Sequence, residues 1–287
     1  MKEKLVHQGD AAAFDANWRN RQEKFYTHWT RGRPTNQIQL AFRNHWEVFQ
    51  QLMRDAGLRH PLRVLEVGCG RGSLSCYFAD AGHKCTLADL SPEAISIART
   101  IFAQNGLEAS FDVEDALSLS YASDSFDLTF SIGLLEHFED VSRPVLEQVR
   151  VLRPGGLFIG YIVPHYRTNV QSGYRWVVDV LQGYAAASTA DASQKSPIFR
   201  SDFGSEHYLP ILRDAGLINL QSRGIYPLPM ISHSIDFPFS LMPPASEAAL
   251  VAHFENLLAE RAESMSEHPW LCEEGFGQAF LVWGVKQ

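Results

Sequence analysis

The sequence predicts an α/β fold in which a doubly wound, mostly parallel sheet is covered by helices on both faces. Strand-like and helical patterns alternate along the chain from about residue 64 onward, which is typical of such a sheet. A glycine-rich turn separates the first strand from the first helix of this alternation. With 287 residues and 45% hydrophobic content, the chain can bury a core as one domain with elaborations.

The first predicted strand, residues 64–67, runs into a turn that contains Gly68, Gly70 and Gly72. Glycine at these positions leaves backbone N–H groups bare against a ligand, because a Cβ atom would hold the ligand away. A dinucleotide-binding fingerprint has a further glycine at the position that Ser73 occupies here. The spacing therefore argues against that type of site.

The second predicted strand, residues 84–88, ends at Asp89. An acid about 20 residues past the glycines, at the carboxyl end of a strand, suits a ribose diol, since a carboxylate accepts from both hydroxyls. Ser91 then caps a helix that has Pro92 at its first position. A third strand, residues 109–113, leads into an acidic turn.

The second half of the alternation begins with a fourth strand at residues 126–132. A helix follows over residues 143–152 and is expected to stop at Pro154-Gly155-Gly156. The pattern then predicts a strand over residues 157–163. Further elements are expected near residues 208–215, within 202–225, and at 279–286.

The order acid-x-Gly-x-Gly-x-Gly, with Glu66 as the acid, resembles motif I of the class I S-adenosylmethionine (SAM) methyltransferases. The turn Leu135-Glu136-His137, followed by Leu152-Arg153-Pro154-Gly155-Gly156, is similar to a group that includes the quinone C-methyltransferases. The matched elements lie in the family's order between residues 64 and 163. The resemblance implies a Rossmann-like sheet of seven strands and SAM as the cofactor.

The resemblance also implies the site residues. Asp89 matches the residue that holds the ribose of SAM, and Asp115 matches the acid that accepts from the adenine amino group. The other cofactor-binding residues expected from it are Tyr26, Glu66, Gly68, Cys69, Gly70, Gly72, Leu90, Ala116, Ser131 and His137. No metal site is expected, because no paired spacing of metal ligands is present.

The chain outside the cofactor core divides into a cap and two insertions. Residues 1–60 are expected to form an N-terminal helical cap, with a helix from about Asn36 and the aromatic residues Tyr26 and Trp29 before it. Residues 61–287 form the methyltransferase domain. Its insertions, at about 164–205 and 226–276, follow the carboxyl ends of strands and are expected to build the acceptor pocket.

Methyl transfer from a sulfonium is an in-line displacement, so alignment is the main contribution of the protein. A base is needed only where the nucleophile carries a proton that must leave. His165 follows the fifth strand and is the first candidate for this base, and His137 after the fourth strand is the second.

Composition and missing motifs narrow the acceptor. The formal net charge of −8 opposes nonspecific binding to nucleic acid, and the turn Ser131-Ile132-Gly133-Leu134 lacks the Asn/Asp-Pro-Pro-aromatic pattern of DNA amino-methyltransferases. We expect a small, largely apolar or aromatic acceptor, methylated on carbon, nitrogen or oxygen. A protein or RNA acceptor, an NAD(P)-dependent oxidoreductase and a noncatalytic SAM-binding protein remain as alternatives.

The sequence predicts a cytoplasmic protein. Its four cysteines show no disulfide framework, and no apolar run is long enough to cross a bilayer. No signal-peptide pattern follows the first residues. Nothing in the sequence indicates an oligomeric state.

Overall fold

The computed structural model describes residues 12–16, 18, 19, 28–165, 199–225 and 243–287. In this part of the chain the strands are β1 Arg63–Val67, β2 Lys84–Asp89, β3 Ser110–Val113, β4 Phe126–Ile132, β5 Leu152–Ile162, β6 Leu217–Ile225, β7 Leu271–Cys272 and β8 Ala279–Lys286. The longer helices are α1 Gln37–Asp55, α2 Ser73–Asp80, α3 Pro92–Gln104, α4 Ser142–Val151, α5 Ser205–Asp214 and α6 Pro244–Ser264.

The strands form one sheet in the order β3-β2-β1-β4-β5-β8-β6-β7. The first five strands of this order are parallel, whereas β8 pairs antiparallel with both β5 and β6. The predicted doubly wound, mostly parallel architecture is confirmed. The described residues form eight strands rather than the seven expected, because the two-residue β7 pairs with the outer edge of β6.

Side-chain caps begin two of the helices where the sequence predicts them. Asn36 accepts a hydrogen bond from the backbone N–H of Gln39 at 3.0 Å and so caps α1. Ser91 accepts from the N–H of Ala94 at 3.2 Å, with Pro92 in the first turn of α3. Each cap satisfies a helix N–H that has no partner within the helix.

The expected stop at Pro154-Gly155-Gly156 is wrong, because these residues lie inside β5. The helix α4 already ends at Val151, and Leu152 pairs with Phe126 of β4. The next partner of β4 is Leu157, so the intervening residues bulge out of the ladder. Gly155, with φ of +71°, permits this bulge.

Helices cover both faces of the sheet, as predicted. On one face, α1, α2, α3 and α6 pack through a cluster that includes Phe49, Phe78 and Phe254. On the other face, α4 and α5 pack through a cluster that includes Val145 and Tyr208. Within the described ranges, no helix is both long enough and apolar enough to span a membrane.

The predicted insertions are only partly described. Residues 166–198 of the first and 226–242 of the second lie outside the described residues. The helix expected near residues 246–262 is present as α6, and its Val251 and Phe254 are buried in the core cluster with α1. The division into a cap, a core domain and pocket-forming insertions stays a prediction.

Candidate functional site

The carboxyl ends of β3, β2, β1, β4 and β5 lie side by side along one edge of the sheet. The turn after β1 is fixed to its neighbour, because the N–H groups of Gly68 and Cys69 both donate to the carbonyl of Ala88, at 2.8 and 3.0 Å. Gly68, Gly70 and Gly72 have φ values of 68°, 51° and 67°. These left-handed conformations strain residues with a Cβ, which explains the glycines.

Asp89, at the end of β2, holds the glycine turn from the other side. Its Oδ2 accepts from the N–H of Gly70 and its Oδ1 accepts from the N–H of Ser91, each at 2.9 Å. Burial raises the pKa of Asp89, and these two hydrogen bonds act in the opposite direction. Each carboxylate oxygen keeps a second lone pair, so the residue that the sequence predicts for the ribose can still accept from a diol.

Glu66 and Cys69 lie buried beneath the turn. Ser75 of α2 donates to Glu66 Oε2 at 2.5 Å, so this carboxyl group ties the strand before the turn to the helix after it. Burial raises the pKa of Glu66 to about 8, and the hydrogen bond from Ser75 acts against this rise. Burial also raises the pKa of the Cys69 thiol, which therefore stays protonated.

The structure brings the other predicted residues to the same edge. Asp115 follows β3 and accepts from the N–H of Leu117 at 2.9 Å, which fixes its side chain in the turn. Ala116 beside it is buried, whereas Leu90 after Asp89 is partly exposed. Ser131 near the end of β4 is fully buried, and its hydroxyl has no hydrogen-bond partner among the described residues.

A segment near the N-terminus lies across this edge, which the sequence reasoning missed. The ring of Phe14 is 5.0 Å from that of His137, and Asp15 accepts from the Ser91 hydroxyl at 2.7 Å. The ring of Trp18 lies against Gly70, where a Cβ would be 2.8 Å from its Cζ2. Phe14 and Trp18 are four residues apart, a helical spacing that could have revealed them.

The sequence singled out two other aromatic residues, Tyr26 and Trp29, instead. Tyr26 is outside the described residues. Trp29 is buried on the outer side of α2, where its ring is 6.5 Å from that of Tyr77 and Arg31 lies over it. In this structure Trp29 packs the cap onto the core.

His137 lies in the short 3₁₀ helix Leu135–His137 after β4, close to the glycine turn. Its Nδ1 is 2.6 Å from the carbonyl oxygen of Phe199, so Nδ1 carries the proton and Nε2 has a free lone pair. Burial lowers the pKa of His137 to about 4. The side chain is therefore a neutral imidazole at neutral pH.

His165 is exposed, three residues after the end of β5. Its backbone N–H donates to the carbonyl of Ser201 at 2.8 Å, which fixes the main chain at this point. Residues 166–198 lie outside the described residues, and the catalytic role assigned to His165 from the sequence stays a prediction.

The buried carboxyl groups predict an unusual dependence of stability on pH. A carboxyl pKa that is higher in the folded than in the unfolded state makes stability fall as pH rises through the folded value. Burial places the pKa of Glu66 at about 8 and that of Glu136 at about 7. The pKa values of His83 and His137 are lowered to about 4. These two histidines make stability rise with pH, and this rise ends near pH 6.5.

Between pH 6.5 and 8, we therefore expect the ligand-free protein to lose about 1 to 3 kcal/mol of unfolding free energy. Urea unfolding at several pH values in this window measures it. Glu66→Gln should remove most of the slope, and Glu260→Gln on the exposed part of α6 should leave it unchanged. Stability that stays level or increases over this window would contradict the assignment.

A family model described as "Methyltransferase domain" matches residues 65–160. Methyltransferase GfsG from Streptomyces halstedii is 32% identical over 242 residues, which cover 83% of this chain and 72% of that protein. Ajmaline N-methyltransferase from Rauvolfia serpentina is 38% identical over 104 residues, covering 35% of this chain and 36% of that protein. The match thus spans about a third of the length of the latter relative.

Among solved structures, a SAM-dependent methyltransferase from Thermotoga maritima superposes with a TM-score of 0.54 and 17% identity. The alignment covers 96% of this chain and 99% of that chain. At this level of identity the likeness concerns the fold, and it agrees with the expected Rossmann-like architecture.

Proposed function

The chain belongs to the class I SAM-dependent methyltransferases, and on this premise we propose that it transfers a methyl group from SAM to a small, largely apolar or aromatic metabolite. Membership follows from the identity to GfsG, which extends over 83% of this chain. It leaves the interpretation as an NAD(P)-dependent oxidoreductase without support.

The proposal rests mainly on the glycine turn, which is held in place by its hydrogen bond to Asp89. Gly68, Gly70 and Gly72 let the main chain turn in left-handed conformations at the edge where a nucleoside is expected, and Asp89 offers acceptor lone pairs beside it. Asp115 lies on the far side of Asp89, at the end of β3. This spacing fits a ribose diol on Asp89 and the adenine amino group on Asp115.

SAM, when bound, supplies a methyl group on a positively charged sulfur. The role of the protein is then to hold SAM and to align its methyl group. We assign the adenosine to Asp89, Leu90, Asp115 and Ala116, and the amino-acid end to Glu66, the glycine turn, Ser131 and His137. The segment with Phe14 and Trp18 covers the same edge and serves to exclude water from the reacting atoms.

Two arguments support a small acceptor over nucleic acid. The formal net charge of −8 disfavours a polyphosphate partner. One relative is named for ajmaline, a small-molecule acceptor. We propose a small-molecule acceptor for this chain too, but not ajmaline itself.

The first test is binding. SAM and S-adenosylhomocysteine should bind with affinities that agree within about tenfold, because both present the same adenosine and amino-acid groups to the site. Isothermal titration calorimetry measures both, with NADH as the control ligand. Folded protein that binds neither SAM nor S-adenosylhomocysteine would contradict the proposal.

A second arm separates an enzyme from a noncatalytic SAM-binding protein. Protein loaded with SAM carrying a labelled methyl group is incubated with a fractionated metabolite extract, and label is followed into small molecules. Transfer supports the enzyme. Binding of the cofactor without transfer to any fraction would favour the noncatalytic alternative.

A further inference from the structure

A buried carboxyl group that the sequence reasoning did not select lies beside the cofactor edge. Glu136 belongs to the 3₁₀ helix after β4, and its side chain is fully buried. Its main chain is fixed, because its carbonyl accepts from the N–H of Ser201 at 2.7 Å. Neither carboxylate oxygen has a hydrogen-bond partner of normal geometry in the described part of the chain.

A second polar group beside Glu136 shares this property. Tyr161, on β5, is buried, and its hydroxyl has no hydrogen-bond partner among the described residues. Gly133 joins the two residues, because its N–H donates to the carbonyl of Tyr161 at 2.9 Å and a Cβ on it would lie 3.5 Å from Glu136 Oε1. The charge of Glu136 also adds to burial in raising the pKa of Tyr161.

Such a cluster is costly for folding. A buried polar group without a hydrogen bond costs about 1 to 3 kcal/mol, and a buried carboxylate costs more. The rest of the fold keeps Tyr161 in place without help from its hydroxyl, since its ring packs 4.9 Å from that of His45. A purely structural role would be served as well by glutamine or phenylalanine, so the polar atoms point to a ligand.

We propose that Glu136 and Tyr161 bind the nucleophilic amine of the methyl acceptor, and that Glu136 takes up its proton. This inference rests on the proposed function. The cluster lies at the carboxyl ends of β4 and β5, the side of the sheet edge away from Asp89 and Asp115. A primary amine suits it better than a hydroxyl group, because its two N–H groups can donate to the Glu136 carboxylate and to the Tyr161 hydroxyl at once, while its lone pair stays free to attack.

The proposed methyl transfer needs no reactant other than SAM and the amine. The lone pair of a neutral amine nitrogen forms the new nitrogen–carbon bond while the carbon–sulfur bond breaks. The electron pair of the broken bond stays on sulfur, which leaves as the thioether S-adenosylhomocysteine. The methylated nitrogen is then an ammonium group, and it loses one proton to the carboxylate of Glu136 and from there to solvent.

The electrostatics of Glu136 agree with this role. Burial raises its pKa to about 7, while the nearby backbone N–H groups of Glu136 and Val163 and the charge of Arg200 act in the opposite direction. A carboxyl group that exchanges its proton near neutral pH is suited to accept one from a methylated amine. The neighbouring Nε2 of His137 is 4.0 Å from Glu136 Oε1, too far for a hydrogen bond.

The test uses protein saturated with S-adenosylhomocysteine and three probes: benzylamine, phenethylamine and tryptamine. Ligand-observed NMR measures their binding, with benzyl alcohol and toluene as neutral references. We expect at least one amine to bind to wild type. Glu136→Gln should weaken it by at least tenfold, and Tyr161→Phe by a few-fold. The control Glu139→Gln, which neutralises an exposed acid three residues away, should change nothing.

Two further readouts make the outcome decisive. The thermal midpoint of Glu136→Gln should equal or exceed that of wild type, because the glutamine removes a buried charge. The affinity for S-adenosylhomocysteine should stay within about twofold in every variant. A tenfold loss of that affinity in Glu136→Gln would assign the carboxylate to the cofactor and overturn the inference.

The inference is also overturned if none of the three amines binds to the loaded wild type, or if an amine binds equally to Glu136→Gln and Tyr161→Phe. Failure of S-adenosylhomocysteine to bind wild type would instead remove the proposed function, and this inference with it. The two failures are therefore distinguishable.

Discussion

Asp89→Ala is expected to weaken the binding of S-adenosylhomocysteine by about 2 to 4 kcal/mol, which is roughly 30- to 1,000-fold in the dissociation constant. The variant loses the carboxylate that, in our proposal, accepts two charge-assisted hydrogen bonds from the ribose. It also loses the acceptors that position the N–H groups of Gly70 and Ser91 before the ligand arrives. Isothermal titration calorimetry at one pH and salt concentration measures the effect.

Asp89→Asn should be nearly as harmful as the alanine variant. The two oxygens of Asp89 face two N–H donors, and an amide would direct its own NH₂ group at one of them. Asp112→Ala is the matched control, because it removes a nearby carboxylate whose partner is the Tyr121 hydroxyl. Equal affinities for wild type and Asp89→Ala would mean that the ribose is held elsewhere.

Gly72→Ala is expected to lower the free energy of unfolding by about 2 to 5 kcal/mol. Two causes add up. Gly72 has a φ of +67°, which costs an alanine about 1 to 2 kcal/mol. A Cβ there would also collide with Leu87 and lie 3.2 Å from Cε2 of Phe102, in a packed core that resists displacement. Chemical denaturation of the ligand-free protein measures the loss.

Gly57→Ala separates the two causes. Gly57 has a similar φ of +69°, but a Cβ there would meet nothing within 4 Å. This control should therefore lose only the conformational part, about 1 to 2 kcal/mol. If both variants were equally stable, the close packing around Gly72 would have no energetic role, and the strict glycine would reflect backbone conformation alone.

The sequence predicts the backbone structure at the ends of β1 and β2 well, because the signals there are local. The glycine turn, the acid at the end of β2 and the cap at Ser91 each depend on residues a few positions apart, and the structure places all of them as expected. The alternation of strands and helices likewise follows from short-range periodicity.

Features that depend on distant contacts could not be predicted in this way. Pro154-Gly155-Gly156 has the composition of a turn, yet pairing with β4 keeps it within a strand. The position of the segment that carries Phe14 and Trp18 depends on contacts with residues more than 50 positions away. Sequence spacing gives no measure of such contacts.

The residue that acts as the base for the acceptor could not be predicted from sequence spacing either. His165 is the candidate from the sequence because a histidine after β5 has the right position for a base. The structure places Glu136 in a buried cluster instead, with its oxygens unpartnered among the described residues. Burial and the lack of a partner can be read only from three-dimensional packing, so no pattern in the sequence distinguishes Glu136 from an exposed glutamate.

The position of β8 has a consequence for the synthesis of the protein. This strand, Ala279–Lys286, lies between β5 and β6 and is the last of the described strands to leave the ribosome. Until it emerges, β5 presents an unpaired edge and β6 has no connection to the rest of the sheet. Exposed strand edges pair readily with other chains. The nascent chain therefore depends on protection from aggregation until β8 has been made.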